Sequence, residues 1–272
     1  MVDCSASTVR PIASTAASGV PSCAVVVMSS DKYRDLWQPF FTLFWKHWPD
    51  CPFPVFLGTT GASYNDARVI SIPSGDFAWS KTFRLVLEQV DAEYVFLLLE
   101  DFFLESPIET DEIQRHILVL RELDGTMLRL FPAPGPDSEL AGYEGIGRIH
   151  SRAPWRVSLQ AGLWNRRRLL GLIRDEESIW DFERNGTARS RIDADGFYAT
   201  YKPLARYRHV VERGEWFRTA ARDYSTQQIG CDFVARPVMS RAVSLRKVLS
   251  RSRKNLFDCI SSLLRKSSWP LR

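Results

Sequence analysis

Tyr94-Val95-Phe96-Leu97-Leu98-Leu99-Glu100-Asp101-Phe102-Phe103-Leu104 is the stretch that decides the fold class. Its apolar run, with no polar alternation, predicts a strand buried on both faces, and such strands occupy the centre of sheets covered by helices. Two carboxylates close the run. In sheets of this kind ligands gather at the carboxyl ends of the strands, so Glu100 and Asp101 stand where binding chemistry is expected. Burying two acids is costly unless something pairs with them. A divalent cation such as Mg²⁺ or Mn²⁺, itself bound to a diphosphate, would pair with them, because hard cations take carboxylate oxygens and keep positions free for phosphate. Salt bridges to Arg, or a helix cap, would satisfy the same acids with no functional role.

On either side the chain alternates strand and helix. Residues 23 to 28 read as a Val-rich buried strand ending in Ser29-Ser30-Asp31. Residues 33 to 48 read as a helix with Leu36, Phe40, Leu43, Phe44 and His47 on one face, stopped by Pro49. Strands follow at 55 to 59 and 68 to 72, then a helix at 80 to 90. Beyond the acid pair come a helix at 110 to 123, a strand at 127 to 131 and a long Pro- and Gly-rich loop at 132 to 147. A strand at 157 to 164, helices at 167 to 173 and from 179 to 184, and late strands at 196 to 201 and 207 to 211 complete the pattern. The fold class predicted is α/β, a mostly parallel sheet with helices on both faces, in one domain over residues 23 to 239.

Composition narrows the function classes. With 272 residues, 45% hydrophobic and 25% charged, the chain can bury a full core without disulfides or a metal staple. Five cysteines with no C-x-x-C pair argue against a zinc ribbon or a secreted disulfide scaffold and for a reducing, cytoplasmic setting. His47, His116, His150 and His209 are too far apart in sequence for a local metal motif. There is no phosphate loop of the G-x-x-x-x-G-K-[ST] type, no G-x-S-x-G elbow, and no G-x-G-x-x-G after the first strand. No apolar run reaches membrane-spanning length. Residues 1 to 22 read as a disordered leader, with too few large apolar groups for a signal peptide.

The net charge of +4 is unevenly placed: residues 240 to 272 carry +8 and the remainder −4. In that tail Val248, Leu249, Leu256, Ile260, Leu263 and Leu264 recur at helix-like intervals among Lys and Arg. This is the pattern of an amphipathic helix on an anionic membrane surface, with Trp269 at the headgroups; a helix docked on its own domain gives it too. The expected partner is a membrane surface and not nucleic acid.

Two further segments can carry chemistry. In Trp180-Asp181-Phe182-Glu183 two acids alternate with two aromatics, which favours carboxyls raised by desolvation toward the range of a general base; a first helical turn with acids at its positive end has the same composition. In Gln160-Ala161-Gly162 the small pair lets a ligand or another backbone come close, and the Gln160 amide suits sugar hydroxyls. The run Arg166-Arg167-Arg168 reads as a phosphate contact or as a solvated face.

Taken together, Tyr33-Arg34-Asp35-Leu36-Trp37, Trp48-Pro49-Asp50-Cys51-Pro52, Leu99-Glu100-Asp101-Phe102 and Trp180-Asp181-Phe182-Glu183 resemble blocks of bacterial GT-A glycosyltransferases of polysaccharide and lipopolysaccharide gene clusters. The resemblance covers about residues 23 to 224. It implies a Rossmann-like GT-A fold and a nucleotide-diphosphate sugar donor, with Ser29, Asp31, Asp66, Glu100 and Gln160 on the donor side and Asp101 holding the metal. Glu100-Asp101-Phe102 stands where the family's D-x-D would be. It further implies that Asp181 falls on the base position of inverting enzymes, with Glu183 as the next acid, and that the acceptor is a hydroxyl of a growing glycan; the basic tail adds the expectation that this glycan is lipid-linked at the inner face of the cell membrane. A non-catalytic sugar- or nucleotide-binding protein of the same fold, and a nucleotidyltransferase, are the alternatives.

Overall fold

The structure, a computed structural model, describes residues 19 to 241 and Val243. Most of the leader expected over 1 to 22 and nearly all of the amphipathic tail expected over 240 to 272 lie outside the described residues. In chain order the elements are β1 (Cys23–Met28), a 3-10 turn (Asp31–Leu36), α1 (Trp37–His47), β2 (Val55–Thr59), β3 (Val69–Pro73), α2 (Trp79–Gln89) and β4 (Tyr94–Leu99). Next come β5 (Phe102–Leu104), α3 (Thr110–Glu122), β6 (Met127–Arg129), β7 (Ser138–Glu139), β8 (Ile146–Arg148), β9 (Gly162–Asn165) and α4 (Arg166–Leu172). The last are α5 (Ile179–Arg189), a 3-10 turn (Ser190–Ile192), β10 (Phe197–Thr200), β11 (Tyr207–His209), β12 (Val211–Glu212), β13 (Glu215–Trp216) and α6 (Arg218–Tyr224).

The described residues divide into two compact units. The first holds the described residues up to Met28, Asp50–Leu98 and Glu109–Leu204; the second holds Ser29–Pro49, Leu99–Ile108 and the described residues from Ala205 on. The first unit is built on a mixed sheet in the order β3-β2-β1-β4-β9-β6-β10-β8-β7. Strands β1, β2 and β3 pair in parallel, and β6 and β10 do so as well. Against these, β9 runs antiparallel to both β4 and β6, and β8 antiparallel to β10 and β7. Strands β4, β6 and β10 therefore share one direction, and the expected α/β class with mostly same-direction strands is what the sheet shows. Helix α2 packs on β2 and β3, α3 on β6, and α4 on β9. As the unbroken apolar run predicts, Val95, Phe96, Leu97 and Leu98 are wholly buried.

Three expectations are corrected. The helix expected over 33 to 48 begins only at Trp37, and Tyr33 in the preceding 3-10 turn has non-helical dihedrals. Pro39 explains this: its ring lacks an N–H and clashes with the carbonyl four residues back, so it is tolerated in the first helical turn and not further in. The strand expected over 157 to 164 is present only from Gly162, because Val157 and Leu159 give their N–H groups to the side chains of Thr187 (3.1 Å) and Glu183 (2.7 Å) on α5 and not to a neighbouring strand. The long loop at 132 to 147 carries the strand pair β7–β8 on the sheet edge.

The second unit places α1 on β5. Strand β5 pairs with β11 antiparallel, joining Phe102 to His209, and Phe102 and Tyr207 stack with ring centroids 4.1 Å apart. Among the described residues no helix is long and apolar enough to cross a membrane.

Candidate functional site

The second unit gathers the acid pair and its neighbours. Asp101 follows β4 and precedes β5; its backbone carbonyl accepts the Val210 N–H at 3.0 Å, which fixes the start of the β5–β11 ladder beside it. That ladder brings His209 round so that its Nε2 lies 2.7 Å from Asp101 Oδ2. The imidazole is wedged edge-on between the rings of Phe102 and Phe217. The other oxygen of Asp101, Oδ1, is buried without a hydrogen-bond partner. Such an acceptor is costly in a folded protein and marks a place where a cation or donor is wanted. Glu100 is buried as well; its desolvation, and then the Asp101 charge beside it, push its carboxyl well above the usual range. Tyr33 is raised by burial and then by the Glu100 charge.

Positive charge enters this unit through Arg236, 7% exposed, which is buried only because it is fully engaged. It forks onto the two oxygens of Asp35 at 2.9 and 2.8 Å, donates to Lys32 O at 2.8 Å, and lies over the Tyr33 ring at 4.4 Å. Ser29 is buried and accepts the Trp37 Nε1–H at 2.7 Å, while Asp31 opens the 3-10 turn. Of the sequence-derived candidates, Ser29, Asp31, Glu100 and Asp101 thus belong to one unit. His209 and Arg236 had no signal in sequence: each meets its acid partner across more than 100 residues. Among the described residues no three His, Cys, Asp or Glu side chains form a cluster that could by itself hold a metal ion.

Asp66, Gln160, Asp181 and Glu183 belong to the first unit. Asp66 receives Nε and Nη2 of Arg68 at 3.0 and 2.8 Å and the Arg68 backbone N–H at 3.0 Å, a local turn. Gln160 is half-buried just ahead of β9, its N–H 3.4 Å from Ser158 Oγ. What approaches Gly162 closely is a neighbouring strand: Leu128 O would stand 3.2 Å from a Cβ there. Arg166 donates to Ala92 O and Leu87 O, and Arg168 pairs with Asp124, so two of the three consecutive arginines bind the protein itself.

The two acids of the Trp180–Glu183 block have opposite environments. Asp181 sits at the third position of α5 in a capping box with Ser178, whose hydroxyl donates to Oδ2 at 2.7 Å while accepting the Asp181 N–H at 3.2 Å. The expectation of a raised carboxyl is therefore corrected for Asp181: the Ser178 hydroxyl, and further the Arg184 guanidinium, hold it below its ordinary value. Glu183 fits that expectation. Burial raises it, against the Leu159 N–H and the Ser158 hydroxyl that bond to it.

A raised carboxyl makes the folded state bind its proton more tightly than the unfolded chain, so stability falls as pH climbs from about 4.5, the ordinary value, through the folded value. Glu183→Gln keeps an acceptor for Leu159 and removes the titration. Its stability relative to the parent, followed by urea unfolding between pH 4 and 8, is expected to improve steadily with pH; a flat difference would show that Glu183 stays ionised at no cost.

Two wholly buried arginines complete the first unit. Arg129, on β6, donates to Pro134 O at 2.6 Å, Trp155 O at 2.5 Å and Arg156 O at 3.3 Å. Arg156 donates to Ser190 O, Asp195 O (3.1 Å) and Ala194 O (3.3 Å), and lies 4.1 Å over the Phe197 ring.

No protein-family model matches the sequence, and no curated protein matches it. Among solved structures, residues 1–349 of S. aureus TarS superpose with a TM-score of 0.46 at 12% identity, covering 68% of this chain and 59% of that one. The bifunctional IspDF from Campylobacter jejuni gives 0.39 at 14% identity, covering 69% and 52%. The glycosyltransferase GlyE of Streptococcus pneumoniae TIGR4 gives 0.36 at 12% identity, covering 85% and 64%. The chain spans less than two thirds of the length of each of these.

Proposed function

We propose that this chain is a glycosyltransferase of the GT-A type, moving a sugar from a nucleotide-diphosphate sugar to a hydroxyl of a growing glycan with inversion. The observation that carries the reading is Asp101, one oxygen held by His209 and the other, Oδ1, buried without a partner, next to the buried Glu100. A divalent cation fits this donor chemistry, since Mg²⁺ is habitually held by one or two carboxylates together with substrate phosphates. Asp101 would hold it, with Glu100 beside it. When bound, it would supply positive charge to the departing nucleoside diphosphate. Ser29, Asp31, Asp66 and Gln160 are proposed on the donor side.

For the base, reach decides before pKa. Asp181 has a side chain 37% exposed, whereas Glu183 is buried against the backbone of residue 159. Asp181 is therefore proposed to take the acceptor proton, and Glu183 to position the segment that carries Gln160. Asp181→Asn is expected to leave donor binding intact and to lower kcat by about 10² to 10⁴. Full turnover combined with a lower Tm would reduce Asp181 to a helix cap.

The acceptor proposed is lipid-linked. The +8 of residues 240 to 272 supports this, since each Lys or Arg near an anionic leaflet contributes about 1 kcal/mol. A thermal-shift screen of nucleoside diphosphates and their sugars, with and without Mn²⁺, tests the whole reading. A nucleotide-dependent rise in Tm is expected, and no shift with any of them would remove it.

A further inference from the structure

The β7–β8 hairpin and β10 border a cavity of about 700 Å³, within the range of small-ligand sites. Its walls carry two aromatic rings, Tyr143 and Tyr201, and two carboxylates, Glu139 and Glu144, with no Lys or Arg. Tyr201 is 46% exposed, and its N–H is held by Gly145 O at 3.0 Å, so an open ring stands on a fixed backbone. Tyr143 is fixed too, its hydroxyl bonded to Glu122 and its N–H to Leu140 O. On either side of Tyr143 in the chain, Gly142 and Gly145 have φ of +85° and +79°, and a Cβ at either would meet nothing within 4 Å. That rim is bare backbone in a conformation other residues rarely adopt, and it leaves space beside the rings.

Tyrosine faces accept the C–H side of a pyranose, and carboxylates accept hydrogen bonds from its hydroxyls or from an amino group. An anionic ligand is repelled by the two glutamates, which sets this cavity apart from any place for a diphosphate. We propose that it is a saccharide-binding site, taking neutral or amino-bearing sugars and rejecting uronic acids; that the sugar bound there belongs to an acceptor rests on the transferase reading above.

The test titrates the full chain with neutral, glucosamine-containing and uronate-containing oligosaccharides by saturation-transfer NMR, with nucleotide binding measured in parallel. Neutral and amino sugars are expected to bind, and Tyr201→Ala to weaken them about tenfold while sparing the nucleotide. Glu144→Lys, an exposed change, is expected to shift the preference toward uronates. Absence of any saccharide signal, an unchanged Tyr201→Ala, or a Glu144→Lys with the parent's preference would overturn the proposal. Saccharide binding that depends on Tyr201 in a protein that binds no nucleotide would uphold the cavity as a sugar site and fail only the transferase reading.

Discussion

Asp101→Asn is expected to lower turnover on a nucleotide-sugar donor by about 10²- to 10³-fold, the usual scale for losing one preorganised electrostatic group at a leaving group. The substitution keeps the side chain's size and removes its charge. The unpartnered Oδ1 then no longer attracts a cation, and the activity should lose its response to Mn²⁺ as well as its magnitude. Removing that charge also takes away the second cause of the raised Glu100, so the variant should hold its fold at neutral pH at least as well as the parent. Donor titrations with and without Mn²⁺, and steady-state kinetics on both proteins, decide the matter. Unchanged turnover with an unchanged metal response would mean that Asp101 and His209 only lock β5 to β11.

Arg156→Met should produce the largest loss of stability. Methionine fills a similar volume but takes the charged donor from the buried Ser190 O, which keeps only the Asp193 N–H, and deprives Ala194 O and Asp195 O of theirs. Losing the charged hydrogen bond to the buried Ser190 carbonyl costs about 1.5 to 3 kcal/mol, and the lost contact with the Phe197 ring adds to this. A total of about 2 to 4 kcal/mol corresponds to a fall in Tm on the order of 10 °C for a chain of this size. Lysine should not rescue it, having one point charge where the guanidinium offers a fork. A loss below about 1 kcal/mol in urea unfolding would show that water takes over the carbonyls.

Much of the first unit was legible because its strands are long and apolar enough to speak for themselves. Residues 23 to 28, 55 to 59 and 94 to 99 have no polar alternation to hide their burial, and each was read with its observed bounds. Short strands whose partners are remote were not legible. Three residues of β5 pair with three of β11 about a hundred positions away, and no periodicity fits in three residues. The acid pair was visible because charge at the end of an apolar run is locally anomalous. His209 lies too far in the chain from the other histidines to form a local motif, and Arg236 belongs to no motif; only the folded path brings them to Asp101 and Asp35. Segment 157 to 160 misled for a related reason, since its apolar residues are buried by side-chain bonds from α5 and not by a ladder.

The way Arg129 and Arg156 grip the segments around residues 132 to 157 and 190 to 195 separates shape from spelling. Both arginines hold main-chain carbonyls, which every amino acid carries, so the path of the backbone is fixed without fixing what is written on it. Residues 139, 141, 143 and 144 can therefore exchange their side chains while the frame under them, with Gly142 and Gly145 at positive φ and Leu140 and Ile146 in the core, stays in place. A library confined to those positions, with 129 and 156 untouched, would vary what the protein recognises and leave its architecture alone.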